Sequence, residues 1–386
     1  MKYFTCLLFV LVFFSGTHVL AQEVYMISGV VINENQEPIK GATIFISGSK
    51  KITATDAEGR FTFGGMTAGN YLISTKMLGY NTPSKAIIVQ DKSVSISIVL
   101  KVSAIVLNEV TIGTDKNREK NYEIFKNQFL GTSASAKKCS IINPEIIYFS
   151  RKNIATDFIS LKAEANDLLI IENQQLGYRI KYLLRTFEYN SKTLVTYYDG
   201  DNNFEELNGT VDQKKIWAKN RLDAYNGSLM HFLRSVYANQ ALNEGFITNQ
   251  MVKSSNRFDR RTYMNPYPVS FDTLVTTLDS SFISFKFTAL NVTYNPKKVA
   301  RLQRKEVKRQ EKTTNKPLEK TSQDDLLTVD PTGESSQLLL HLKEAIIDAR
   351  GSAFSGSQTF LIRGSWANKR IGDQLPFEYL PPKTDH

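Results

Sequence analysis

Cysteine is nearly absent from this sequence, and where it occurs it cannot pair. The 386 residues hold two, Cys6 and Cys139. Cys6 falls in an N-terminal apolar run expected to be removed, which leaves Cys139 alone and excludes an intramolecular disulfide framework. Stability must therefore come from packed apolar cores. Paired-cysteine metal motifs, a serine nucleophile elbow and a glycine-rich phosphate loop are missing as well. Histidine is scarce: beyond His18 there are only His231, His341 and His386. No long apolar run occurs after the first residues, and the one from Tyr3 to Phe14 is too short to span a bilayer as a helix.

That run has the organisation of a secretory signal. Lys2 is its positive flank, Ser15 and Gly16 break it, and Val19 and Ala21 are small residues at the −3 and −1 positions before Gln22. Residues 1–21 are read as a signal peptide, and the mature chain as exported to the periplasm or the outer membrane. The remaining length suits two or three domains. The net charge of +10 invites a nucleic-acid reading, but residues 297–320 carry +7 of it in one run of ten Lys or Arg and three Glu. Such a run is ordinarily a solvated helix or loop. Nucleic acid is not expected as a partner; contact with an anionic membrane surface stays open.

Residues 24–112 read as short strands separated by turns: VYMISGVVI, GATIFISG, GRFTFGG, GNYLISTKML, SKAIIVQ and SVSISIVL. In the last, Val94, Ile96, Ile98 and Leu100 alternate with Ser93, Ser95, Ser97 and Val99, so one face is buried and the other wet. Turns about every ten residues favour a β-sandwich. The stretch TATDAEGRFTF is expected to be a structural turn. Asp56 accepts from backbone N–H groups ahead of it, Gly59 takes the left-handed conformation, and Phe61 and Phe63 point to one core. Asp56 and Glu58 alone are too few oxygen ligands for a calcium loop.

These residues carry a family resemblance. Gly29-Val30-Val31, Pro38-Ile39, Gly41-Ala42, Thr55-Asp56, Gly59, Phe61, Gly69, Tyr71 and Gly79-Tyr80 resemble the carboxypeptidase-regulatory-like domain over Val24 to Ile112. The resemblance implies a transthyretin-like all-β sandwich of about seven strands. In Bacteroidota this domain often precedes the plug and barrel of TonB-dependent receptors, and LNEVTIG, Leu107 to Gly113, is similar to the segment that follows it there. Only 273 residues remain after Gly113, too few for a barrel of that class.

The boundaries expected are 22–113 for the sandwich and 121–386 for an uncharacterised, strand-rich mixed α/β region, with a basic polar insert at 297–336. NYEIFKNQFL looks helical. DLLIIENQQLGYRIKYLLRTFEYNSKTLVTYYDG reads as strands with a turn at Asn173 to Gly177, and residues 212–241 as a helical pair broken near Asn226-Gly227. FISFKFTALNVTY, SQLLLHL, AIIDARG and TFLIRG read as further strands. The layout resembles exported Bacteroidota proteins in which the same sandwich precedes a region of unknown activity.

Chemistry is sparsely supported. A zinc carboxypeptidase needs a His and Glu with two residues between them and a distant second His. His341 and Glu344 have the spacing, but only His231 and His386 remain to complete the set. Cys139 has no neighbouring His. The best candidate contact with a ligand or partner is the helical pair: Arg221, Tyr225, Ser228, His231 and Arg234. On a helix Leu229, Phe232, Leu233, Val236 and Tyr237 form an apolar stripe, while Ser228, His231 and Arg234 fall three apart on another face. No catalytic residue, metal or cofactor is assigned. The expected function is a non-catalytic binding or scaffold protein of the cell envelope with a protein partner. A TonB-dependent uptake accessory and a metallocarboxypeptidase-like hydrolase are the alternatives. AIVLNEVTIG, residues 104–113, is the candidate segment for strand addition to a partner.

Overall fold

The computed structural model describes residues 23–103, 117–253, 262–301, 303–304, 334–354 and 359–382. The signal segment, residues 104–113 and most of the basic insert lie outside the described residues; the insert's opening, 297–301, is helical, and its last residues, 334–336, already belong to a strand.

Seven strands build the N-terminal sandwich: β1 Tyr25–Asn33, β2 Thr43–Ile46, β3 Ile52–Ala54, β4 Arg60–Met66, β5 Gly69–Lys76, β6 Ser84–Val89 and β7 Val94–Leu100. One sheet has the order β4-β1-β7, with β1 antiparallel to β4 and parallel to β7; the other has the order β3-β2-β5-β6. Alternation works as expected in β7, where Ile98 and Leu100 are buried and Ser95, Ser97 and Val99 exposed. The inner faces meet in one core that includes Ile27, Val31, Phe61, Phe63, Ile44, Ile73 and Val89. The turn at Asp56 is structural. Its carboxylate accepts from the backbone N–H of Glu58 at 3.0 Å and of Arg60 at 2.7 Å. Gly59 has φ +71°, and a Cβ there would stand 2.5 Å from the Val31 carbonyl oxygen.

The second region is strand-rich with few helices, as its pattern implied. Helix α1, Arg118–Leu130, lies against a six-stranded sheet. That sheet comprises β8 Cys139–Ile141, β9 Ile147–Ala155, β10 Phe158–Ala165, β11 Leu169–Asn173, β12 Tyr178–Asn190 and β13 Val195–Glu206. Phe125 and Phe129 of α1 meet Phe187 and Tyr182 of β12 edge to face, with centroids 4.8 and 4.9 Å apart. The helical pair follows as α2, Val211–Tyr225, and α3, Leu229–Tyr237, broken at Asn226-Gly227. Thr210 opens α2 as its N-cap, in a reciprocal capping box with Gln213.

The apolar stripe of α3 packs as its spacing predicts. Phe232, Leu233 and Val236 enter a core with Phe246, Phe285, Leu338 and Trp366. Around it lie two sheets. One has the order β15-β14-β18-β19-β21, from β14 Phe246–Lys253, β15 Thr262–Pro268, β18 Ala289–Tyr294, β19 Glu334–Leu340 and β21 Phe360–Gly364. The other has the order β16-β17-β20, from β16 Val275–Thr277, β17 Phe282–Phe285 and β20 Ala345–Asp348.

Candidate functional site

The helical pair is the joint of the second region, and its polar side chains are engaged within the chain. Arg221 donates from Nε to the Leu176 carbonyl at 2.7 Å and from a terminal nitrogen to Gly177 at 3.1 Å, and its guanidinium lies 3.9 Å over the Tyr178 ring. Trp217 donates to Gln174 and Asn220 to Gln175, so one face of α2 grips the whole Asn173–Gly177 turn. Burial pushes the Tyr178 phenol up to about 12, against the pull of Arg221.

Ser228 is the N-cap of α3 and accepts from the His231 backbone N–H at 3.1 Å. His231 is not on a solvated polar face, as helical spacing alone suggested. It is buried, stacked on Tyr225 at 4.7 Å and edged by Phe246 at 4.8 Å. Its Nδ1 accepts from the Gly227 N–H at 3.1 Å, and its Nε2 faces Glu244 at 3.2 Å. Burial lowers its pKa; the facing Glu244 carboxylate acts the other way. Arg234 gives Nε to the Arg350 carbonyl, and its terminal nitrogens to Tyr379 and Phe377. The five candidates thus come together, but as a clamp on the turn at 173–177 and on the C-terminal strap 374–379.

Asn220, Asp223 and Ala224 line a cleft of about 510 Å³, shared with Ser133, Gln175 and Asp373 among others. Its walls carry Ser and Thr hydroxyls, Asn and Gln amides, the Asp223 and Asp373 carboxylates and the Lys369 ammonium.

The metallopeptidase elements are not assembled. His341 is exposed, and Glu344 accepts from Ser284 with Lys286 at 3.3 Å, bonds that hold its carboxyl below the usual range. Among the described residues no group of three or more His, Cys, Asp or Glu is placed to hold a metal ion. The Cys139 thiol is buried and pushed up to about 12, chiefly by burial.

A seam that sequence reasoning missed joins the sandwich to the second region. It lies along the outer face of the β3-β2-β5-β6 sheet. Asp201 of β13, 0% exposed, accepts from Ser74 and Ser84 at 2.5 Å each and from Arg185, which also reaches Asp199 at 3.3 Å. At one end the turn after β2 lies against β13 and the strap. The Gly48 N–H donates to the Asn202 carbonyl, Asn203 donates to the Ser49 carbonyl and the Phe377 N–H to that of Gly48, each at 2.8 Å. At the other end Asp348, also 0% exposed, accepts from the Asn70 N–H at 3.1 Å, and Arg350 lies 3.9 Å over the Tyr71 ring. The available signal was the run Asp199 to Asn203, since Asp and Asn are depleted in strands.

Residues 27–112 match the CarboxypepD_reg-like domain family. Comparison with curated proteins gives no match. Among solved structures the chain is similar to a 3-chlorocatechol 1,2-dioxygenase from Rhodococcus opacus 1CP, at 9% identity and TM-score 0.19, covering 22% of this chain and 61% of that one. It is similar to a minor pilin of Streptococcus agalactiae at 15% identity and TM-score 0.19, covering 21% and 46%. A Streptomyces dioxygenase domain gives 12% identity and TM-score 0.18, covering 23% and 86%. The chain therefore spans less than two thirds of the first two proteins, and scores this low carry no functional argument.

Proposed function

We propose that this chain is a non-catalytic binding or scaffold protein, exported to the Gram-negative cell envelope, in which the sandwich and the second region act as one body. The seam carries the reading. A tethered docking module would present both of its sheets to water. Here the outer face of β2 and β5, with Phe45, Asn70 and Ser74, is covered, and a buried carboxylate, a guanidinium and hydrogen bonds to backbone fix its position. The free sheet β4-β1-β7 and the second region are then held in fixed relation, which suits bridging one partner to another. The partner class is an envelope protein. A TonB-dependent outer-membrane receptor is the one to which the resemblance of the N-terminal domain points.

Crosslinked affinity purification of the whole mature chain from native envelopes tests this. Deleting the sandwich would lay bare Asp201 and Asn203, so the comparison is a full-length variant altered on the exposed sheet, Arg60→Glu with Ser97→Glu. The expected result is a single saturable envelope partner whose capture falls in the variant. No saturable partner, or stoichiometric zinc in the purified chain that His341→Ala removes, would contradict the reading.

A further inference from the structure

The strand pairs β9–β10 and β12–β13 end side by side. Ser191 donates its N–H to the Ile159 carbonyl at 3.0 Å, and Ile159 donates its own to the Ser191 hydroxyl at 2.8 Å. Beyond that bond the chain leaves the body: residues 152–158 and 192–195 are all exposed. Ile154, Ala155, Phe158, Leu194 and Val195 among them are apolar, and the rest are Lys, Asn, Thr and Asp. Leu194 is 73% exposed, and Ile154, Phe158, Val195 and Tyr197 on the same two hairpins are exposed as well. Leu194 also has φ +56°, a conformation in which glycine or asparagine is the ordinary choice. A leucine there costs backbone energy and gains no packing in return. Such clustering marks an interaction surface.

We propose that these paired hairpin tips dock on an anionic lipid surface. The shape is a convex prong, which fits a deformable interface. The charge agrees: Lys152 and Lys192 stand exposed on the two tips with Asp157 as the one opposing charge, while Lys162 and Glu188 neutralise each other behind them. Apolar side chains enter the headgroup boundary, an aromatic residue settles at its level, and lysines meet the phosphates. This site is separate from the protein-binding surfaces proposed above, and its failure would leave them standing.

The test uses the whole mature chain carrying Phe158→Trp, with vesicles of phosphatidylethanolamine and phosphatidylglycerol against vesicles of phosphatidylcholine. The emission of the new tryptophan should shift to the blue with the anionic vesicles only. Phe158→Ser with Leu194→Ser should weaken co-sedimentation by about tenfold or more. Lys152→Glu with Lys192→Glu should weaken it and flatten its salt dependence. Leu194→Asn, which suits the turn, separates lost binding from lost folding. The proposal is overturned if no vesicle is bound, if binding survives the double serine change, or if these tips instead engage a protein or a second copy of the chain.

Discussion

A histidine enclosed by Tyr225, Phe246 and Tyr294 is held neutral by its surroundings. Because Nδ1 of His231 accepts from the Gly227 N–H, the neutral ring carries its proton on Nε2, towards Glu244. Its folded pKa is lowered from 6.5, so between that lowered value and 6.5 the unfolded chain binds more protons. Stability from this site is complete above about pH 6.5 and is lost as pH falls towards the folded pKa. Denaturant titrations at a series of pH values should show that loss in the native chain and a flatter profile in His231→Gln. Leu194 gives the opposite kind of forecast. Leu194→Asn removes a left-handed leucine and should raise stability by about 0.5–1 kcal/mol, read as a higher unfolding midpoint. Sequence spacing read Ser228, His231 and Arg234 as one polar face of a helix. It misjudged their surroundings, because a helical wheel does not say that Tyr225 and Phe246 close over the imidazole.

Elements were the most legible scale. Helix α2 announces itself through Thr210 and Gln213, and its end through Asn226-Gly227. The β7 alternation and the Asp56 turn follow from local rules alone. The three-residue β3 was not distinguished, since so short a strand has no periodicity of its own. The Asn173–Gly177 turn was found from its composition, but its clamp was not, because Trp217 and Arg221 reach it from more than forty residues along the chain. Gly177 stands at φ +68°, and a Cβ there would lie 2.2 Å from the Trp217 ring. Gly177→Ala should therefore cost about 2–4 kcal/mol, combining a left-handed alanine with a displaced indole, and should lower the thermal midpoint accordingly. An alanine that left stability unchanged would mean that Trp217 does not press on this turn.

At the scale of the molecule, an N-terminal sandwich followed by a strand-rich region with few helices could be read from patterning. The seam could not, because its pairs lie far apart in the chain: Ser74 with Asp201, Asn70 with Asp348, Gly48 with Phe377. Polar residues at alternate positions of β5 look solvent-facing until a second surface covers them. Asp201→Ala strips the buried partner from Arg185, which keeps Asp199, and should cost about 2–3 kcal/mol. It should also split unfolding of the mature chain into two calorimetric transitions where the native chain shows one.

The most direct test of a single body is a distance measurement between spin labels on Lys92→Cys, in the sandwich, and Lys219→Cys, on α2. The buried Cys139 does not compete for the label. One narrow distance distribution, broadened by Asp201→Ala, is the predicted result. A broad distribution in the otherwise native chain would mean that the sandwich moves freely, and would contradict the account.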